Sequence, residues 1–267
     1  MLPTPDTSHV AFERIYEPAE DSYLFLDTLS SNAETAFLTE RFGSHGDCGK
    51  EGKPAPMVVE VGTGSGVILA FVSAHAHLIF GRADVVALGV DVNRHACHAT
   101  QQTVETAAEE QAREGNSHGH YLGNVTADLT TSLRGNIVDV LIFNPPYVPT
   151  TELPSLPEVT DDMEDDEGRP KKSDWDVDCH LLALSYAGGA DGMETASRLI
   201  DMLPRVLSCR GVAYILFCAQ NNPNLIKERI KAWGPGWDLQ TVGTSGKTAG
   251  WEKLVIVRIA RVIPKDE

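Results

Sequence analysis

Apolar positions in this chain gather into short, nearly continuous runs separated by longer mixed stretches. Val58–Val61, Asp84–Val90, Ile137–Phe143 and Gly211–Phe217 have the length and β-branched content of strands buried on both faces. A weaker strand, third in chain order, is expected near His120–Thr126, between Asp84–Val90 and Ile137–Phe143. Between them, helices are predicted over Tyr23–Leu29, Asn32–Phe42, Val67–Ala76, Arg94–Glu114, Asp174–Ala187, Met193–Leu207 and Asn224–Trp233. Trp237–Val242 and Lys253–Val262 read as a closing antiparallel pair of strands. Strands alternating with helices predict an α/β fold, with a mostly parallel sheet and helices on both faces.

The ends of these runs carry the candidate chemistry. Ile137–Phe143, interrupted only by Asp139, is stopped by Asn144-Pro145-Pro146-Tyr147. Neither proline can donate to a ladder, and Pro145 holds Asn144 extended at the carboxyl end of a central strand, where open α/β sheets bind ligands. A side-chain carbonyl, the proline carbonyls and the flat face of Tyr147 together suit a planar primary amide or an aromatic amine. Val58–Val61 runs into Gly62-Thr63-Gly64-Ser65-Gly66 and then a helix, so backbone amides can approach a ligand closely. Asp91, at the end of the second strand, is placed to accept from ribose hydroxyls; it could equally cap the helix that follows. Asp128-Leu129 stands just past the third strand in the same way. Near the start, Tyr16–Ser22 reads from its pattern as a capped helix start.

Composition narrows the possibilities. A chain of 267 residues with 42% hydrophobic content can bury a full core, and residues 1–267 are expected to form one domain. Flexible segments are expected near 43–56 and 153–173. The formal charge of −16, from 22 basic and 38 acidic residues, opposes direct binding of a nucleic-acid backbone. Part of that charge is local, because Glu158–Asp178 holds ten acidic residues against three basic ones. No run approaches the roughly 20 apolar residues of a membrane span, and no secretory signal is visible. The five cysteines are odd in number and never form Cys-x-x-Cys, which fits a reducing compartment and neither a disulfide framework nor a zinc knuckle. The paired histidines, such as His95 and His98, have no evident third ligand, so no metal is expected.

Taken together, Tyr16–Ser22, Glu60–Gly66, Asn144–Tyr147, the Ala187–Gly192 turn and Asn221-Asn222-Pro223 resemble the HemK-like eukaryotic class I translation release factor glutamine methyltransferases. The resemblance covers Tyr16 to Val262. It implies the seven-stranded Rossmann-like fold of class I methyltransferases and S-adenosylmethionine as cofactor, with S-adenosylhomocysteine as product. It further implies that Glu60, Gly62 and Gly64 line the methionine part, Asp91 holds the ribose, Asp128 and Leu129 hold the adenine, Ser22 closes over the cofactor, and Asn144 also contacts it. Asn144 and the Pro145 carbonyl would accept both hydrogens of the substrate amide, with Pro146 and Tyr147 completing the site. The implied substrate is the glutamine of a Gly-Gly-Gln loop in the release factor. The implied partner is a small zinc-binding activator, paired at the edge strand near 120–126, and the implied location is the cytoplasm with the nucleus as a second compartment. An adenine amino-group methyltransferase on DNA or RNA and a protein lysine (histone) methyltransferase are the alternatives.

Overall fold

The computed structural model describes residues 2–44, 52–156, 174–221, 223–246 and 253–263. Seven strands form one sheet: β1 (Met57–Val61), β2 (Val86–Asp91), β3 (His120–Thr126), β4 (Val138–Phe143), β5 (Leu207–Cys218), β6 (Trp237–Thr244) and β7 (Leu254–Arg261). The helices are α1 (Glu20–Leu29), α2 (Asn32–Phe42), α3 (Val67–Ala74), α4 (Ala76–Phe80), α5 (Arg94–Arg113), α6 (Asp174–Tyr186), α7 (Glu194–Val206) and α8 (Pro223–Lys231). A short 3-10 turn, Ala219–Asn221, follows β5.

The strand order is β3-β2-β1-β4-β5-β7-β6. β1 to β5 are parallel, and β7 lies antiparallel between β5 and β6. This is the expected Rossmann-like class I methyltransferase sheet with its closing hairpin. Alternate residues of each central strand feed different layers, as a pleated strand requires. Val58, Val140, Ile142 and Tyr214 pack with α1, α2, α3 and α5 on one face. Val59, Val61, Leu141, Phe143 and Ile215 pack with α7 and α8 on the other. The polar interruption at Asp139 is satisfied within the sheet: its carboxylate accepts from Met57 N at 3.0 Å, Ser208 Oγ at 2.6 Å and Arg210 Nε at 3.0 Å.

Several boundaries shift by one to three residues, and three local features have a physical reason in the structure. The helix predicted over Val67–Ala76 breaks at His75, whose backbone (φ −105°, ψ 22°) separates α3 from α4. The His75 ring packs edge-on against Phe71 with centroids 4.9 Å apart, and its Nε2 lies 3.3 Å from the Pro3 carbonyl. Leu207 leaves the helix for extended backbone (ψ 136°), so β5 starts four residues before the predicted Gly211. The cap of α5 is Asn93, whose side chain accepts from His95 N at 2.9 Å; Asp91 is the last residue of β2 instead. Residues 45–51 and 157–173, which carry most of the expected flexible segments and of the acidic run, lie outside the described residues. Arg82 joins the flanks of the first of these, donating to the carbonyls of Phe42 at 3.0 Å and Lys53 at 2.8 Å.

Candidate active site

The carboxyl ends of β1, β2 and β4 converge on a cavity of about 220 Å3, and every residue expected in the site lines it. The glycine turn after β1 is built on left-handed backbone at Gly62 (φ 68°), Gly64 (φ 53°) and Gly66 (φ 78°). Gly66 is there for packing: a Cβ at this position would lie 2.5 Å from Cα of Thr100 on α5. A Cβ at Gly64 would meet nothing within 4 Å, so open space lies in front of the turn.

Asp91 ties that turn to β2. Its Oδ2 accepts from Gly64 N at 3.0 Å and its Oδ1 from Asn93 N at 2.8 Å. Burial pushes its carboxyl above the ordinary value of 3.8, while those two N–H groups pull the other way. Glu60, 1% exposed, accepts from Leu69 N in the first turn of α3 at 2.8 Å. Burial holds Glu60 well above the ordinary 4.5, and the neighbouring Asp91 adds to the rise. Across the cleft, Asp128 forms an ion pair with Arg198 of α7. Leu129 beside it is a non-glycine residue in the left-handed region (φ 51°), with its side chain buried in the core.

At the end of β4, Asn144 donates through Nδ2 to Oδ2 of Asp21 at 3.0 Å. Its Oδ1 is buried and has no hydrogen-bond partner among the described residues. A buried acceptor left unpaired is costly, on the order of 1–3 kcal/mol, and an N–H delivered through the cleft would remove that cost. The next residues are pinned from behind. Asn221 donates to the carbonyls of Tyr147 at 3.4 Å and Asp191 at 3.2 Å, while its own carbonyl accepts from Cys218 N at 2.9 Å. Gly192 (φ 65°) permits this, since a Cβ there would lie 2.3 Å from the Tyr147 carbonyl oxygen. Val148 then pairs with the chain at and just past the end of α6, donating to Tyr186 O at 3.0 Å and accepting from Gly188 N at 2.8 Å. An apolar rim that includes Leu153, Leu156 and Tyr186 borders the mouth.

Among the polar lining residues absent from the site expected on sequence are Asp21 and Arg198. Asp21 sits inside the stretch singled out at Tyr16–Ser22, but nothing in its neighbours announces a partner at Asn144. Arg198 falls on a helix whose pattern reads as ordinarily amphipathic.

The donor set fits an adenosyl cofactor: a glycine turn open to solvent, a carboxylate at the end of β2, another past β3, and an unpaired carbonyl where a reacting group would sit. No family model matches the chain. The eRF1 methyltransferase catalytic subunit mtq2 of Schizosaccharomyces pombe is 30% identical to it over 267 residues, spanning 98% of this chain and 97% of that protein. Methyltransferase HEMK2 of Mus musculus is 31% identical over 97% of each chain. HEMK2 of Homo sapiens is 30% identical over 97% of this chain and 96% of its own. Identity sustained along nearly the whole length of all three places this chain in the methyltransferase family of mtq2 and HEMK2.

Proposed function

We propose that this protein methylates the side-chain amide of the glutamine in the Gly-Gly-Gln loop of a class I translation release factor, with S-adenosylmethionine as donor. The observation that carries the reading is the buried, unpaired Oδ1 of Asn144 at the end of β4. The name of the Schizosaccharomyces pombe relative, an eRF1 methyltransferase, supports the substrate.

The bound cofactor supplies an electrophilic methyl on a positively charged sulfonium. Gly62, Gly64 and Glu60 would hold its methionine part, Asp91 its ribose, and Asp128 with Leu129 its adenine, with Ser22 covering it. Asn144 Oδ1 and the Pro145 carbonyl accept the two hydrogens of the target amide. A planar NH2 group matches two acceptors held in one plane, whereas a tetrahedral ammonium does not. The prolines add no N–H to compete, and Asn221 keeps Tyr147 beside the site through its carbonyl. The residues therefore orient a weak nucleophile and polarise its N–H bonds, and the amide proton leaves to water after transfer. Glu60 and Asp91, both buried and hydrogen-bonded to backbone, are fixed acceptors in this scheme.

The same reading includes a small zinc-binding activator protein. β3 forms an edge of the sheet, and Leu122 on it is 62% exposed. An edge strand with an apolar side chain in water suits pairing by another chain. The complex would work in the cytoplasm, where release factors act, with the nucleus as a second compartment.

The test is transfer of labelled methyl to release factor, histone or DNA, with and without the activator. Label on the release factor that disappears with its Gln→Ala variant supports the reading. Label confined to histone lysine or to DNA adenine would overturn it.

A further inference from the structure

An asparagine amide can turn over about its last torsion, and the two orientations offer opposite chemistry to a ligand: an acceptor in one, a donor in the other. In this cleft one orientation is selected. Asn144 Nδ2 donates to Asp21 Oδ2 at 3.0 Å, and the two residues stand 123 positions apart in the chain. A carboxylate only accepts, so turning the amide over would set Oδ1 against Oδ2 with no proton between them and leave the NH2 group without its partner. Asp21 is itself held. It is 3% exposed, it occupies the second position of α1, and its Oδ1 accepts from Ser22 N at 2.7 Å and Ser22 Oγ at 3.3 Å.

We propose that Asp21 is a positioning residue, which commits the NH2 group of Asn144 and thereby makes Oδ1 the acceptor of the site. The segment Tyr16–Ser22 then does more than cover the cleft, because it delivers the carboxylate that determines what kind of group the end of β4 can receive. Substrates presenting N–H donors are accepted, and those presenting only acceptors at that point are refused. This inference rests on the reading of Asn144 as the acceptor for the target amide.

Two measurements test it. The first uses the full wild-type chain without cofactor or substrate, with asparagine side chains labelled with nitrogen-15 and the Asn144 signal assigned by its loss in Asn144→Ala. One proton of the Asn144 amide should exchange with solvent at least roughly tenfold more slowly than a free asparagine amide. Exchange at the free rate overturns the proposal without reference to any activity.

The second compares Asp21→Asn, which keeps the size but can also donate, with Asp21→Glu. Asp21→Asn should lower kcat by roughly 10- to 100-fold, because the acceptor is no longer held in one orientation. KM for the protein substrate and Kd for S-adenosylmethionine should stay within about threefold. Asp21→Glu should restore the slow proton and part of kcat. A weakened Kd for S-adenosylmethionine with kcat unchanged would make Asp21 a cofactor ligand and overturn the proposal. If Asp21→Asn does not fold, the exchange measurement on the wild type and the Asp21→Glu variant decide. Label appearing on histone or DNA would sink the substrate reading instead, and the exchange rate would still decide separately whether Asp21 holds the Asn144 amide.

Discussion

A single carbonyl oxygen at Asn144 separates this cleft from a merely cofactor-shaped one. Replacing it by Asn144→Ala removes the acceptor and leaves Asp21 facing a void, so methyl transfer should fall by roughly 100- to 1,000-fold. Cofactor affinity, measured by calorimetry, should change far less. Glu60 makes a prediction of a different kind. Its folded pKa is raised by burial above the ordinary 4.5, so the stability it contributes is present below that ordinary value and is lost as pH rises through the folded value. Unfolding temperatures of the cofactor-free protein should therefore drop with pH over that window, and Glu60→Gln should flatten the drop. A Glu60→Gln profile parallel to the wild type would count against it. Asn144 and Asp91 could be read from sequence because each stands where an apolar run stops, whereas Glu60 lies inside its run and is marked only by the family resemblance. Asp21 and Arg198 could not, because each takes its meaning from a partner 123 or 70 residues away that local pattern does not reveal.

The turn after β1 shows how differently two glycines of one loop are used. Gly64→Ala meets no atom within 4 Å and should cost about 1–2 kcal/mol from left-handed backbone alone. Its methyl would occupy the open space of the cleft, so cofactor binding should weaken more than stability does. Gly66→Ala drives a methyl into the backbone of α5 and should cost roughly 2–5 kcal/mol, read by urea unfolding. At the sheet edge, if the proposed activator pairs there, Leu122→Glu on β3 should abolish its co-purification while leaving the unfolding temperature of the isolated chain within about 2 °C, since an exposed side chain contributes little to the core. The elements themselves were largely legible, since short, mostly apolar runs separated by amphipathic stretches leave few arrangements for a parallel sheet. The errors lie where apolar character continues across a change of backbone. Nothing in Val67–Ala76 signals the break at His75, and Leu207 suits the end of α7 as well as the start of β5.

At the scale of the molecule, segments near the two ends of the chain are joined by a polar network whose centre, Glu34, Tyr214 and Arg258, is buried. Arg258 on β7 donates to Glu34 on α2 at 2.7 Å and to Gln240 on β6 at 2.9 Å. Tyr214 on β5 donates to the same glutamate at 2.7 Å. With Arg258 and Glu34 only 7% and 4% exposed, Glu34→Ala would strand a buried guanidinium and should cost about 3–5 kcal/mol. The double variant Glu34→Leu with Arg258→Met should recover most of that loss in urea unfolding, because the expensive state is the half-removed pair. No sequence pattern marks these two residues, 224 positions apart, as anything but surface charges. The placement of β7 has a further consequence, for synthesis on the ribosome. β6 emerges first, yet among the described residues its sole neighbour in the sheet is β7, which must then slot between it and β5. Until Leu254–Arg261 arrives, β5 offers a bare apolar edge through Ile215, Leu216 and Phe217, while β1, β2, β4 and the Asn144–Tyr147 segment beyond them are already made. A nascent chain paused before Leu254 thus has its chemistry in place and its flank open to other chains, and chaperones should crosslink to that interval above any other.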